Sequence, residues 1–368
     1  MHIVKYVYYI LVILLIFGAA SYEFSSLLNN QFIHCFFIAA GLLSYFSLVH
    51  RQIFQQKYFL IFTNFYALFV HSFLLIFIFL KIIFFPLIFQ NVFEEKEIML
   101  FRIIISFILY FISLYKYFFE KIGSTTYEFK TPIKITKSLK IVCFSDLHLN
   151  ALVSYKDLKK IVFKINNEDP DIILCLGDLF STPISLIPQK KFQLLSLLKA
   201  KLGIYFISGN DDLTYDFKEL KELLKNKLAW QVLGQDKKVH HIKEYPITLI
   251  GEEDPLYYTK NKIKREIIEL DAVHSERLNI FLSHRPNIEM LMKNKEINFQ
   301  LSGHTHGGHC WPLTWISYFK ERYVYGLYKI NHRQNLIISA GCGYSNPGLA
   351  RLGSKREIVI LNFKECVT

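Results

Sequence analysis

The sequence predicts an α/β domain preceded by a membrane region, and three observations carry the prediction. Four apolar runs, 4–20, 32–49, 58–80 and 98–119, crowd the first 120 residues. From residue 139 onward, short near-continuous apolar runs alternate with segments of helical spacing, the order expected of layered sheets and helices. Five of those later apolar runs end in loops that present Asp, Asn or His.

Each of the four early runs is close to the roughly 20 residues that a helix needs to cross a bilayer. Four such runs in succession argue against buried core helices, and three further spans argue against reading the first as a removable leader. IIFFPLIF (82–89) either extends the third span past Pro86 or lies at the interface. Lys5, the Arg51/Lys57 loop and the lysines from Lys116 to Lys140 alternate with cation-poor loops, which places both termini, and the domain after the spans, on the cytoplasmic side of the cell (inner) membrane. A hydrophobic share of 52% over 368 residues agrees with a large apolar segment.

Charge divides by region. Residues 1–120 hold 7 Lys+Arg and 5 Asp+Glu, whereas the remainder holds 36 and 26, a net of +10. A basic domain suits nucleic acid or an anionic lipid surface. No aromatic stacking motif of the single-strand-binding kind appears, so the lipid bilayer is the expected partner and nucleic acid ranks below it. The six cysteines form no disulfide or zinc-knuckle spacing; Cys143 and Cys175 sit in strand-like runs as small hydrophobes.

Residues 121–138 read as a polar linker with a first strand at Tyr127–Lys130, and 139–368 as the domain. Within it the pattern predicts strands at 139–144, 171–176, 203–208, 246–250, 278–282, 297–301, 335–339 and 356–363, with helices at 155–165 and 192–202.

In open α/β sheets, functional groups gather beyond the carboxyl ends of the strands. Those loops here read SDLHLN with Asp146 and His148, GDLF with Asp178, GNDD with Asn210, Asp211 and Asp212, SHRP with His284 and Arg285, and GHTHGGH with His304, His306 and His309. Taken singly each is weak, since Asp and Asn are ordinary turn residues and a His-rich loop can be merely solvated. The ordered coincidence is informative. Its oxygen and nitrogen donors suit two divalent ions, Mn, Fe, Zn or Mg, with no thiolate required.

The series D-x-H, G-D, G-N, H and G-H-x-H resembles the calcineurin-like metallophosphoesterases over about residues 125–363, and most closely their membrane-anchored GHTHGGQ subgroup. The tail SAGCGYSNPGLARLGSKREIVIL (339–361) is similar to that subgroup's. The resemblance implies a four-layer α-β-β-α sandwich with a two-metal centre. Asp146, His148 and His306 would hold one ion, Asn210, His284 and His304 the other, and Asp178 would bridge. Paired ions neutralise phosphoryl oxygens and acidify a bridging water that attacks in line.

Two positions depart from that pattern. Asp211 stands where the family usually has a His that binds phosphate or protonates the leaving group. His309 stands where the subgroup has Gln, either as a substrate contact or as a plain replacement. Arg285 is a candidate phosphate contact or a solvated side chain, and Arg351 a substrate contact or a strand cap. Trp311, Trp315, Tyr318 and Phe319 form either an aromatic rim against lipid or ordinary core. Asp254 is expected to end a strand rather than hold metal.

The resulting expectation is a membrane-anchored, metal-dependent phosphoric ester hydrolase acting on a phosphoester or pyrophosphate. A lipid-linked phosphate is the first substrate class to consider. The alternatives are a nuclease, a cyclic-nucleotide phosphodiesterase, or a degenerate metal-binding signalling protein. Metal-dependent hydrolysis of a generic ester separates the enzymes from the last.

Overall fold

The computed structural model describes residues 119–130, 137–150, 153–234, 238–262, 274–308, 313–320, 322–344 and 353–364, together with Ile133, Arg351 and scattered positions between 97 and 116. The predicted spans 4–20, 32–49 and 58–80 lie outside the described residues, and 98–119 falls within them only in part. Among the described residues no helix is long and apolar enough to cross a membrane.

The loops that carry the Asp, Asn and His residues hang from two six-stranded mixed sheets. The strands of the first are β1 (Gly123–Lys130), β2 (Leu139–Phe144), β3 (Ile172–Cys175), β4 (Ile204–Phe206), β5 (Gln231–Val232) and β12 (Glu357–Lys364), in the order β1-β12-β2-β3-β4-β5. The second contains β6 (Val239–Ile242), β7 (Ile247–Glu252), β8 (Leu278–Ser283), β9 (Phe299–Ser302), β10 (Gly326–Lys329) and β11 (Asn335–Ile338), in the order β10-β11-β9-β8-β7-β6. Parallel pairing runs through β2, β3 and β4 and through β7, β8 and β9, so each set of loops leaves its sheet at one edge.

The two-residue period of a strand sends neighbouring side chains to opposite faces. Ile141 and Cys143 enter a core shared with Leu249, Ile280, Leu282 and Leu301 of the second sheet. Val142 and Phe144 enter a separate core that includes Leu158, Ile161 and Leu195. Phe281 faces the other way from Ile280, toward Leu291 and Ile297. Apolar layers thus lie between the sheets and on the far face of each. This is why the strands read as continuous apolar runs rather than as alternating ones.

Helices α1 (Tyr155–Asn167), α2 (Gln189–Leu195) and α3 (Phe217–Glu222) follow strands of the first sheet, and α4 (Pro255–Asn261), α5 (Ile288–Lys293) and α6 (Leu313–Lys320) follow the second. Helix α1 buries Leu158, Ile161, Val162 and Ile165 on one stripe, and Ser154 caps it by accepting the Asp157 N–H. Removing such a cap costs about 1 kcal/mol.

Helix α2 differs from the predicted 192–202. It starts at Gln189 and ends at Leu195. The Asn166 amide captures the following backbone, donating to the Leu197 carbonyl at 2.7 Å and accepting from Lys199 N–H at 3.0 Å. The first strand likewise begins at Gly123 rather than Tyr127 and pairs along its whole length with β12, so much of the predicted linker is sheet. Strands β5, β6 and β10 were not predicted. They are edge strands of two to four residues without a continuous apolar run.

Candidate metal centre

Two successive turns of the first sheet run side by side. Asp146 N–H donates to the Gly177 carbonyl at 3.0 Å, and His148 N–H to the Asp178 carbonyl at 3.0 Å. Gly209 lies close against Asp178, so that a Cβ there would overlap its carboxylate; from the second sheet, a Cβ on Gly303 would stand 2.6 Å from Asp146 Oδ2. Glycine at both places lets backbone approach carboxylate.

Asp146, His148, Asp178, His304 and His306 all adopt the left-handed conformation, with φ of 52°, 47°, 51°, 72° and 50°. Each such residue costs free energy that the surrounding fold must offset, and strained backbone of this kind concentrates at functional sites. Periodicity in the sequence carries no trace of this clustering.

The side chains converge in three overlapping groups, each with ligand atoms within 4.8 Å: Asp146, His148 and His306; Asp178, His284 and His304; and His148, Asp178 and Asp211. His148 Nε2 faces His306 Nε2 at 3.0 Å, and His306 Nε2 lies 3.3 Å from Asp146 Oδ1. His284 Nδ1 is 2.7 Å from the Leu176 carbonyl. A carbonyl only accepts, so Nδ1 carries a proton, and Nε2 faces Asp178 Oδ2, 3.2 Å away. Nε2 has no hydrogen-bond partner despite full burial.

Electron-rich atoms facing one another at such distances call for a proton or a cation between them. The pKa shifts express the same demand. Burial alone would lower His284, but the Asp178 carboxylate outweighs it and lifts the imidazole to about 10. Burial raises Asp178, yet His284 and His148 hold it well below the usual carboxylate range. Burial raises Asp146. A divalent ion satisfies these donors as a proton does, so the residues fit a metal centre.

The remaining predicted residues lie at the margin. Asp211 N–H donates to Asp178 Oδ1 at 2.8 Å, and its Oδ2 is 3.1 Å from His148 Nδ1. Asn210 Nδ2 donates to Asp211 Oδ1 at 2.9 Å, leaving its carbonyl oxygen to accept from Arg285 Nη2 at 3.3 Å. Arg285 Nε is paired to buried Asp254 at 2.6 Å, and the Arg285 side chain remains 42% exposed. Asp254 also caps α4, accepting from Leu256 N–H. It thus starts a helix, as well as following a strand. His309 and Trp311 lie outside the described residues, whereas Tyr318 and Phe319 are exposed.

Asp212 had no role in the sequence reading. It is buried and accepts from Phe180 N–H at 3.0 Å and Gly209 N–H at 2.9 Å, tying the loops after β3 and β4 together. Burial and the neighbouring Asp178 push its carboxyl up to about 8. The GNDD run holds two adjacent acids, and the alternation in facing separates their jobs.

Fold and donor set together define a class. Residues 139–308 match the model of the calcineurin-like phosphoesterase family, so this stretch reads as a calcineurin-like metallophosphoesterase domain. Among relatives, an uncharacterised metallophosphoesterase of Campylobacter jejuni is 28% identical over 62% of this chain and 60% of its own length. A Danio rerio transmembrane protein with metallophosphoesterase domain is 30% identical over 62% of this chain and 53% of its own. An uncharacterised metallophosphoesterase of Helicobacter pylori is 30% identical over 58% of each. The chain therefore spans between 53% and 60% of the length of these three relatives.

Proposed function

We propose that the chain is a membrane-anchored phosphoric ester hydrolase that works with two divalent ions. One observation carries the reading: Asp178 Oδ2 stands 3.2 Å from His284 Nε2 and 3.8 Å from His148 Nε2, so a single carboxylate sits where two ligand groups meet. Asp146, His148 and His306 would hold one ion, Asn210, His284 and His304 the other, and Asp178 would reach both. Oxygen and imidazole donors suit Mn, Fe, Zn or Mg. Such a pair supplies charge neutralisation for phosphoryl oxygens and an acidified water.

The chain's own residues do the positioning. Asp211 N–H fixes one oxygen of Asp178 and leaves the other toward the histidines. His304 N–H holds Asp146 through a shared bond, donating at 3.1 Å to Oδ1 and 3.2 Å to Oδ2. Burial of Asp146, His148, Asp178, His284 and His306 keeps bulk water from competing for these donors. Arg285, anchored by Asp254, presents the exposed edge of its guanidinium beside Asn210, where a substrate phosphate can pair with it.

The substrate proposed is a lipid-linked phosphate or pyrophosphate, hydrolysed at the cytoplasmic face. Four apolar runs of spanning length support the anchor, as do exposed Phe101, Ile104, Ile108, Phe111 and Tyr115 along the last of them, side chains that water solvates poorly. The name of the Danio rerio relative points the same way.

The test is a substrate panel on the detergent-purified full chain: nitrophenyl phosphate and its diester, lipid pyrophosphates and cyclic nucleotides, each with Mn, Zn, Mg or a chelator. Metal-dependent release that the chelator abolishes, strongest on lipid pyrophosphates, is expected. Protein that binds two ions and turns over nothing is a binding protein instead.

A further inference from the structure

The buried imidazole of His148 presents both of its nitrogens to partners. Nε2 faces His306 Nε2 at 3.0 Å, on the side of Asp146. Nδ1 is buried without a well-aligned hydrogen bond, and Asp211 Oδ2 stands 3.1 Å from it. The other carboxylate oxygen of Asp211 is occupied by Asn210 Nδ2–H at 2.9 Å, and its backbone N–H by Asp178 Oδ1 at 2.8 Å. One residue thereby touches a side chain from each of the two ligand groups and the carboxylate between them.

We infer that Asp211 is a positioning residue, whose carboxylate orients His148 and keeps its Nε2 lone pair turned toward the ion. This deepens the two-metal reading and rests on it. The physical logic is that an imidazole bound through one nitrogen is fixed in tautomer and rotation by what the other nitrogen donates to. A carboxylate is the partner that most strengthens the ligand. Asp211 Oδ2, at 3.1 Å, is the carboxylate oxygen within reach of Nδ1. With both oxygens and its N–H committed to Asn210, His148 and Asp178, Asp211 is turned toward the ligands and not toward a leaving group.

The test compares the full chain with Asp211→Asn and Asp211→Glu after cobalt loading. Readouts are ion stoichiometry, the affinity of each ion and the visible cobalt spectrum, with hydrolysis measured alongside. Loss of such an outer partner typically weakens metal binding about 10–100-fold. The expected result for Asp211→Asn is a loss of that order at one ion only, a shifted spectrum, and an unchanged number of ligands by X-ray absorption. Asp211→Glu should recover part of the affinity. Loss of an oxygen ligand in Asp211→Asn would show direct coordination and overturn the proposal. So would loss of activity with both affinities and the spectrum unchanged, which would place Asp211 on the substrate side. A parent chain that takes up two ions but hydrolyses no ester defeats the hydrolase reading while leaving this one standing. A parent that takes up none defeats both.

Discussion

Asp178 and His284 face each other through an oxygen and a nitrogen 3.2 Å apart, in a setting where both are buried. Two lone pairs cannot face each other across so short a gap, so either a proton on Nε2 or a cation belongs there. Asp178→Asn keeps the shape and removes the charge. The expected outcome is loss of hydrolysis beyond the roughly 100-fold upper end for outer metal partners, with ion content falling below two per chain by elemental analysis. Retained hydrolysis would count heavily against a bridging role.

The same pair sets a pH dependence with opposite signs for metal-free and loaded protein. His284 is raised to about 10, so its stabilisation is complete below the unfolded value near 6.5 and disappears as pH climbs through 10. Asp178 is depressed, so its share is present above about pH 4 and is lost only in stronger acid. Asp212, raised to about 8, stays protonated in the fold while the unfolded chain ionises, which further erodes stability up to pH 8. Chelator-treated protein should therefore melt at progressively lower temperature from about pH 6.5 to 10. Metal-loaded protein should not show that decline, because the ion replaces the proton and binds more tightly as pH rises. Parallel melting curves for the two forms would sink the prediction.

Much of this fold was legible in the sequence. Buried strands such as LKIVCF reveal themselves because both faces are apolar, and β2 falls at the predicted residues 139–144. Edge strands do not, since VHHI and GLYK carry half-exposed polar side chains and take their pairing from a neighbour. The convergence of Asp146, Asp178, His284 and His306 was readable as a series of strand-end loops. The partners of Asp211, Asp212 and Asp254 were not. A carboxylate that pairs with His148, one that accepts two backbone N–H groups and one that caps a helix look identical in a sequence. Only tertiary approach separates them.

Gly209 supplies a sharper steric test. A methyl group there would overlap the Asp178 carboxylate and its N–H. Overpacking a tight site costs about 1–3 kcal/mol, and here the nearest movable object is the bridging ligand. Gly209→Ala should lower the melting temperature modestly and abolish stoichiometric metal uptake. Gly123→Ala, whose added carbon would sit 3.4 Å from the Arg356 carbonyl in ordinary contact, should leave uptake intact. Equal metal binding in both variants would show that the close approach at Gly209 is incidental.

Arg285 and Asp254 permit the last separation, between holding the site and contacting substrate. Arg285 is tied to Asp254 at 2.6 Å and to Asn210 Oδ1 at 3.3 Å, while nearly half of it faces solvent. Truncating Asp254 removes both the Arg285 pair and the N-cap of α4, a cap worth about 1 kcal/mol. Truncating Arg285 instead leaves a buried carboxylate that keeps the cap bond to Leu256 but loses its counter-ion. If Arg285 serves substrate, Arg285→Ala should raise KM for a phosphoester several-fold with ion content unchanged, and Asp254→Asn should do so more weakly because it loosens Arg285 without deleting it. If Arg285 serves only Asn210, both variants should lose affinity for one ion and KM should stay put. Steady-state kinetics paired with elemental analysis on the two proteins decides between these outcomes.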